Sequence, residues 1–205
     1  MTLLLFSQIV FVCLLGAMSP GPSMIVVVNN AVFKDRLHGI LTAIGHGLGI
    51  GIYAICAVLG IGLIIQTNLM VFNGIKLLSI MFLLYLGIQS IRSRDKLIFE
   101  KNEVRSKIES FGQGFTISIL NPKIFIWFVA IYSHFMSDDN NLTLNISLIL
   151  IASTVDALWY IFLVQMVTSQ KIFKFIKMKY NALQPIIGYL LVFIAILVTF
   201  DMFVL

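Results

Sequence analysis

The distribution of apolar and basic residues along the chain constrains its fold more than any other feature. Six apolar segments are long enough to cross the hydrocarbon core of a bilayer as helices, which takes about 20 residues each. Twelve of the 14 Lys and Arg residues lie in the loops after the first, third and fifth segments, and the loops after the second and fourth contain none. The predicted spans are residues 2–30, 39–64, 70–91, 111–135, 143–168 and 183–204.

The basic loops also predict the orientation of the chain. Loops rich in Lys and Arg stay on the cytoplasmic side, so the first, third and fifth loops should be cytoplasmic and both termini external. We therefore expect a multi-pass protein of the bacterial inner membrane. Its N-terminal segment lacks the basic start of a signal peptide, and we expect it to be retained as the first helix.

Composition excludes a soluble globular protein, because 60% of the residues are hydrophobic and only 11% are charged. The net charge of +5 is carried by the cytoplasmic loops. It therefore predicts contact with anionic lipid headgroups rather than with nucleic acid. Cys13 and Cys56 lie within predicted spans and lack the spacing of a metal site or a CxxC motif, so no metal and no cofactor are expected.

The six spans divide into two groups of three around the polar segment 92–110, which is predicted to be a cytoplasmic connector with an interfacial helix. An odd number of spans per half inserts the second half upside down relative to the first, which is the inverted-repeat plan of many secondary transporters. We interpret 1–205 as a single integral membrane domain with inverted halves 1–95 and 108–205. The predicted fold class is an all-α membrane protein of six spans, whose first and fourth helices are broken by proline.

The first predicted break lies in the sequence SPGPS. Pro20 and Pro22 remove backbone donors and clash with the preceding turn, and Ser19 and Gly21 are pushed away from helical geometry because each precedes a proline. Pro20 lies 14 residues from Lys34, the first cytoplasmic boundary, which is roughly 21 Å by helical rise and near mid-depth. Broken backbone at that depth must face protein or a cavity, since lipid cannot satisfy it.

The second predicted break lies in the sequence LNPK. Asn121 is a favoured N-cap and Pro122 a favoured first helical residue, so a new helix should begin here, also near mid-depth. Two half-helix N-termini would then point N–H groups and positive dipole ends at the membrane centre, and Lys123 would add a full charge. Such a site suits a carboxylate or another small anion, and Trp127 and Tyr132 are candidates to line it. The alternative is that each proline merely kinks a structural helix.

Asp156 is the acidic residue that lies deepest within a predicted span. An intramembrane carboxylate costs about 2.5–3.5 kcal/mol on insertion scales, so it normally faces a partner or a water-filled path. Its candidate partners are Lys123, His46 and Tyr160. The sequence leaves two interpretations open, a proton relay that uses Asp156 and His46, and a fixed structural pair of Asp156 with Lys123.

The second predicted span contains a glycine pattern that is typical of close helix packing. Gly45 with Gly49, and Gly47 with Gly51, form small-xxx-small pairs that let another helix approach. We therefore assign these glycines to packing.

These motifs resemble those of the LysE/RhtB family of bacterial amino-acid exporters. The resemblance covers essentially the whole chain, with SPGP in the first span, YLGIQSIRS at the end of the third and FGQGFTISILNPKIFIWFVAIYSHF in the fourth. It implies export of amino acids or their derivatives from the cytoplasm, driven by the proton gradient. Asp156 matches an acidic residue frequent in the family's fifth span, and Asp35 stands where the family usually has glycine. The positions that match the family's motifs, and are implied to bind substrate, are Ser19, Pro20, Gly21, Pro22, Asn121, Pro122 and Lys123.

Two other functions remain open from the sequence. A membrane-embedded thiol-redox carrier would use the two cysteines, and a passive solute channel would conduct without proton coupling. An enzyme is not expected, because the chain contains neither an HExxH nor a GxSxG motif. The expected partners are an amino acid as small-molecule substrate and the lipid bilayer, with a homo-oligomer as a further candidate.

Overall fold

Every element in the part of the chain that the structure describes is a helix. This computed structural model describes residues 3–19, 21–92, 106–135 and 142–204. The all-α fold class is confirmed for these residues. In chain order the helices are α1 (Leu3–Met18), α2 (Pro22–Phe33), α3 (Arg36–Thr67), α4 (Leu69–Arg92), α5 (Lys107–Leu120), α6 (Pro122–Phe135), α7 (Leu142–Val167) and α8 (Gln170–Val204).

Three of the described helices, α3, α4 and α7, are long and apolar enough to cross a bilayer. Together α1 and α2 make a fourth candidate span, bent by 70° at the break between them. The two helices α5 and α6 have 14 residues each, and α8 contains a shorter apolar stretch, Gln184–Phe200. These lengths identify a membrane protein with several apolar helices, and the arrangement of six spans in two repeats stays a prediction.

Helices α3 and α5, which begin near the ends of predicted spans, carry local caps. Asp35 accepts a hydrogen bond from the backbone N–H of His38 at 2.9 Å and so caps α3. Ser106 and Glu109 form a reciprocal capping box at the start of α5, with N···O distances of 3.0 and 3.1 Å. The cap explains why α5 begins before the predicted boundary at residue 111. The rest of the predicted connector, 93–105, lies outside the described residues, and so does the interfacial helix predicted for it.

The central helix of the described bundle is α3, which packs against α5 on one side and α7 on another. A methyl group at Gly45 or Gly49 would collide with atoms of α5. At Gly47 it would lie 2.7 Å from the Cβ of Ala157 in α7, and at Gly51 it would also meet α7. The packing role predicted for these glycines is confirmed, and the close contacts hold the middle of α3 between the two helices.

Candidate functional site

The described helices line a cavity where the break between α1 and α2 faces α3, α6 and α7. The cavity has a volume of about 50 Å³. One water molecule needs roughly 10–15 Å³ on the same measure. The cavity therefore has room for a small polar ligand or several waters. Its walls are formed by Cys13, Gly16, Ala17, Ser19, Gly21, Ser23, His46, Ile50, Asn121, Lys123, Ile124, Trp127, Phe128, Ile131, Tyr132, Ala152, Asp156 and Tyr160.

Helix α2 begins at this cavity without a side-chain cap. Pro22 is its first residue, where the missing N–H of proline would be unpaired in any case. Gly21 is the N-cap, in extended backbone geometry with φ −177° and ψ −171°, and no side chain in the described part of the chain caps the helix. The N–H groups of the first turn and the positive end of the helix dipole are thus directed at the cavity. Pro20, predicted to take part in this break, lies outside the described residues.

Helix α6 begins at the same cavity, but with a cap. Asn121 separates the end of α5 from the first residue of α6, Pro122. The Oδ1 atom of Asn121 accepts a hydrogen bond from the backbone N–H of Lys123 at 3.1 Å, which is an N-cap interaction. The Nδ2 atom of Asn121 donates to the Ser23 hydroxyl at 3.3 Å and so connects this helix start to the first turn of α2. The two proline-led helix starts therefore meet across one contact.

The side chain of Lys123 reaches from α6 to the start of α2. Its Nζ donates a hydrogen bond to the Ser19 hydroxyl at 2.5 Å. A Cβ added to Gly21 would lie 3.9 Å from the same Nζ, so the ammonium group lies beside the N-cap of α2. A cation and the positive end of a helix dipole repel each other unless an anion is present, so this arrangement favours anion binding.

Asp156 and His46 form a buried pair in the wall of the same cavity. The Nδ1 atom of His46 lies 2.6 Å from Oδ2 of Asp156, and the two side chains are only 2% and 8% exposed, respectively. The ring of Tyr160 packs edge-on against His46, with 4.9 Å between ring centroids. Of the three partners predicted for Asp156, His46 is the one hydrogen-bonded to it, whereas Lys123 donates to Ser19. Proton transfer within a hydrogen-bonded carboxylate–imidazole pair is chemically straightforward.

Most of the apolar wall was missed by sequence reasoning, which proposed only Trp127 and Tyr132 as lining candidates. Both do line the cavity, together with Ile124, Phe128 and Ile131 on the same helix. Trp127 and Ile131 follow Lys123 at intervals of four residues on one row of α6, and Ile124, Phe128 and Tyr132 form the adjacent row. That periodicity was the available signal, and it becomes usable once Lys123 is taken as the reference residue.

The two cysteines lie in different environments. Cys13 lines the cavity, whereas Cys56 is exposed on the surface of the described structure, and both thiols are free. A thiol-redox carrier needs two thiols that meet, and the structure has no disulfide between them.

Comparisons with known proteins agree with the resemblance noted in the sequence. The family described as LysE type translocator matches residues 14–201, which confirms that resemblance. An uncharacterized membrane protein of Bacillus subtilis (strain 168), YrhP, is 28% identical over 167 residues, covering 74% of this chain and 78% of that protein. The threonine efflux protein of Escherichia coli (strain K12) is 28% identical over 142 residues, covering 67% of this chain and 69% of that protein. No solved structure matches the chain.

Proposed function

Because the chain belongs to the LysE type translocator family, we propose that it is a secondary transporter that exports an amino acid or an amino-acid derivative from the cytoplasm by proton antiport. The similarity to threonine efflux proteins supports an amino acid as substrate. It also makes threonine the first compound to test.

The proposed architecture is a six-span inverted repeat with both termini outside the cell. One half consists of α1 to α4 and the other of α5 to α8, with α1–α2 and α5–α6 as the two broken spans. Two contacts support it, because α3 packs against α7 and α4 packs against α8. A two-fold relation between the halves would map each of these helix pairs onto itself.

The observation that carries the proposed substrate class is the ammonium group of Lys123 beside the uncapped start of α2. A carboxylate placed there would accept charge-assisted hydrogen bonds from Nζ and from the first-turn N–H groups. Ser19 holds the ammonium group in position through its hydroxyl. Since every free amino acid carries an α-carboxylate, this part of the site would recognise the class rather than one member of it.

We assign proton coupling to the pair of Asp156 and His46. Both line the cavity that contains Lys123. One proton taken up by the pair would change the charge of the cavity by one unit, and so alter its affinity for the α-ammonium group of a substrate. A buried pair of this kind is therefore a physical link between proton entry and substrate release.

Lys123→Ala tests the substrate site, with Lys123→Arg as the matched variant. Cells that express each protein are loaded with labelled threonine and other amino acids, and efflux is compared with that of cells without the protein. Lys123→Ala should abolish or strongly reduce efflux at an unchanged level in the membrane. Lys123→Arg should keep only part of the efflux. It retains the positive charge, but a planar guanidinium differs in shape from a compact ammonium. Wild-type efflux by Lys123→Ala would remove this residue from the site.

Asp156→Asn tests the coupling. The asparagine keeps the size of the side chain and one hydrogen bond to His46 but cannot take up a proton. We expect the variant to exchange substrate across the membrane and to fail to export it against a gradient. The wild-type protein should lose gradient-driven export when an uncoupler is added. Export by the wild type that continues with the uncoupler would favour a passive channel, and uphill export by Asp156→Asn would remove this pair from the coupling.

A further inference from the structure

We propose that the exported amino acid has a neutral, apolar side chain, which binds against the face of α6 beyond Lys123. This inference rests on the proposed amino-acid export and specifies the part of the substrate that the carboxylate site leaves undefined. The observation behind it is the chemical division of the cavity, which is polar at the helix starts and apolar along the rest of α6.

The geometry of α6 sets the direction in which a bound substrate extends. Trp127 and Ile131 follow Lys123 at intervals of four residues, on the same row of the helix. By helical rise they lie roughly 6 and 12 Å beyond it. A substrate whose carboxylate is held at Lys123 therefore places its side chain alongside these one or two turns of α6.

The wall in this direction consists mainly of rings and aliphatic groups. The hydroxyl of Tyr132 donates to the carbonyl oxygen of Leu148 at 2.8 Å, so its hydrogen atom is already used and its ring faces the cavity. Trp127 is 7% exposed and packs against Gly16, where an added Cβ would lie 2.7 Å from the indole nitrogen. Ile131 is 3% exposed and forms the far end of this wall. Burial of an apolar side chain against such a surface is favourable, because it removes apolar area from water.

The charges of the cavity argue against a charged side chain. Among the described residues that line it, Asp156 is the only Asp or Glu, and it is hydrogen-bonded to His46. Lys123 is the only Lys or Arg in the same set, and the substrate's own α-carboxylate occupies it. A cationic or anionic side chain would therefore be desolvated without a partner of opposite charge, which is strongly unfavourable.

Competition between amino acids of matched shape tests this inference. The purified full-length protein is reconstituted into proteoliposomes loaded with labelled alanine, and unlabelled valine, threonine, lysine and glutamate are compared as competitors. Valine and threonine have the same shape and differ by a methyl group in place of a hydroxyl. We expect valine to compete at least as strongly as threonine, and lysine and glutamate to be weaker by about tenfold or more.

Two outcomes would overturn the inference while leaving amino-acid export intact. One is competition by threonine, lysine or glutamate that is tenfold stronger than by valine. The other is equal competition by all four compounds. If neither alanine nor any competitor is transported, although the protein is folded in the vesicles, the proposed export of amino acids fails as well.

The location of the side chain is tested by Ile131→Ala, with Ile131→Val as the conservative variant. Removing the far end of the wall should let leucine and phenylalanine compete better relative to valine, by about tenfold for Ile131→Ala. Ile131→Val should shift the ranking in the same direction by less, and it keeps the test informative if the alanine variant does not fold. An unchanged ranking in a folded variant would place the substrate side chain elsewhere.

Discussion

The starts of α3, α4 and α5 differ from the start of α2, at the cavity, in how their first N–H groups are satisfied. At α3, Asp35 caps the helix, and at α5, Ser106 and Glu109 cap it reciprocally. At α4, the Oδ1 atom of Asn68 accepts from the backbone N–H of Val71 at 3.0 Å. At α2, which starts at the cavity, Gly21 provides no side chain at all.

The start of α2 is thus where the fold leaves hydrogen-bonding capacity for a ligand. A side-chain cap stabilises a helix by about 1 kcal/mol, and unsatisfied N–H groups are costlier in a membrane than in water. The start of α2, which the sequence predicts at mid-depth in the membrane, is therefore the place where a cap is most needed, and Gly21 provides none. Helix α6 is intermediate, because Asn121 caps it while Lys123 remains directed at α2. A carboxylate from the substrate would accept hydrogen bonds from the first-turn N–H groups of α2 and from the Lys123 ammonium group.

The largest effect is expected from giving α2 a cap of its own, Gly21→Asp. The backbone at this position is extended, so any residue can adopt it, and the new Cβ would lie 3.9 Å from the Nζ of Lys123. The carboxylate would cap α2 and pair with the lysine as a permanent internal anion. We expect loss of amino-acid efflux, with membrane level and thermal stability equal to or above those of the wild type. Gly21→Asn, which caps without charge, should retain more efflux, and full efflux by Gly21→Asp would contradict the proposed site.

A smaller effect is expected from removing the cap that α6 already has. Asn121→Ala loses the hydrogen bond to the N–H of Lys123 and the one to Ser23. The free energy of unfolding should fall by about 0.5–2 kcal/mol, and efflux should drop partially because Lys123 is less well oriented. Asn121→Ser keeps a capping oxygen and should recover stability. The two variants are compared by thermal unfolding in detergent and by efflux, and equal stability of all three proteins would show that this cap is dispensable.

The smallest effect is expected at Asp35, where the cap is exposed. Hydrogen bonds from His38 hold the pKa of the Asp35 carboxyl below its usual value. A lowered pKa adds stability that is present above the unfolded pKa of about 3.9 and is lost as the pH falls through the folded pKa. Asp35→Ala should lower the thermal midpoint slightly at pH 7, leave efflux unchanged, and match the wild type at a pH below both pKa values. A large loss of efflux would mean that this turn takes part in transport.

The sequence could predict the features that depend on a few adjacent residues, such as the starts of helices. Pro22 and the pair Asn121-Pro122 stand at helix starts because proline and a capping residue act within one turn. The spacing of the span-two glycines indicated close packing on two sides, and the structure has them facing α5 and α7. The start of α8 was less predictable, since it begins at Gln170 rather than near residue 183. Its first part is polar, and hydropathy detects only the apolar part.

The sequence left open those questions whose answer depends on which residues of different helices face each other. The partner of Asp156 was open among three residues, and the fold brings His46 to within 2.6 Å of it. The apolar wall of the cavity was largely missed for the same reason, because the periodicity that includes Ile131 separates it from a lipid-facing residue only once Lys123 is known to face the cavity.

Local chemistry thus decided the helical class, the apolar character of the helices, and the places where helices start at Pro22 and Pro122. The tertiary structure decided that Lys123 reaches the start of α2, that Asp156 pairs with His46, and that Cys13 lines the cavity whereas Cys56 is exposed. The physical reason is that a membrane helix is apolar on both its lipid-facing and its protein-facing sides, so hydropathy does not reveal how each helix is rotated. That rotation is set by close packing, chiefly at the glycines of α3, and it brings the separate polar residues into one cavity.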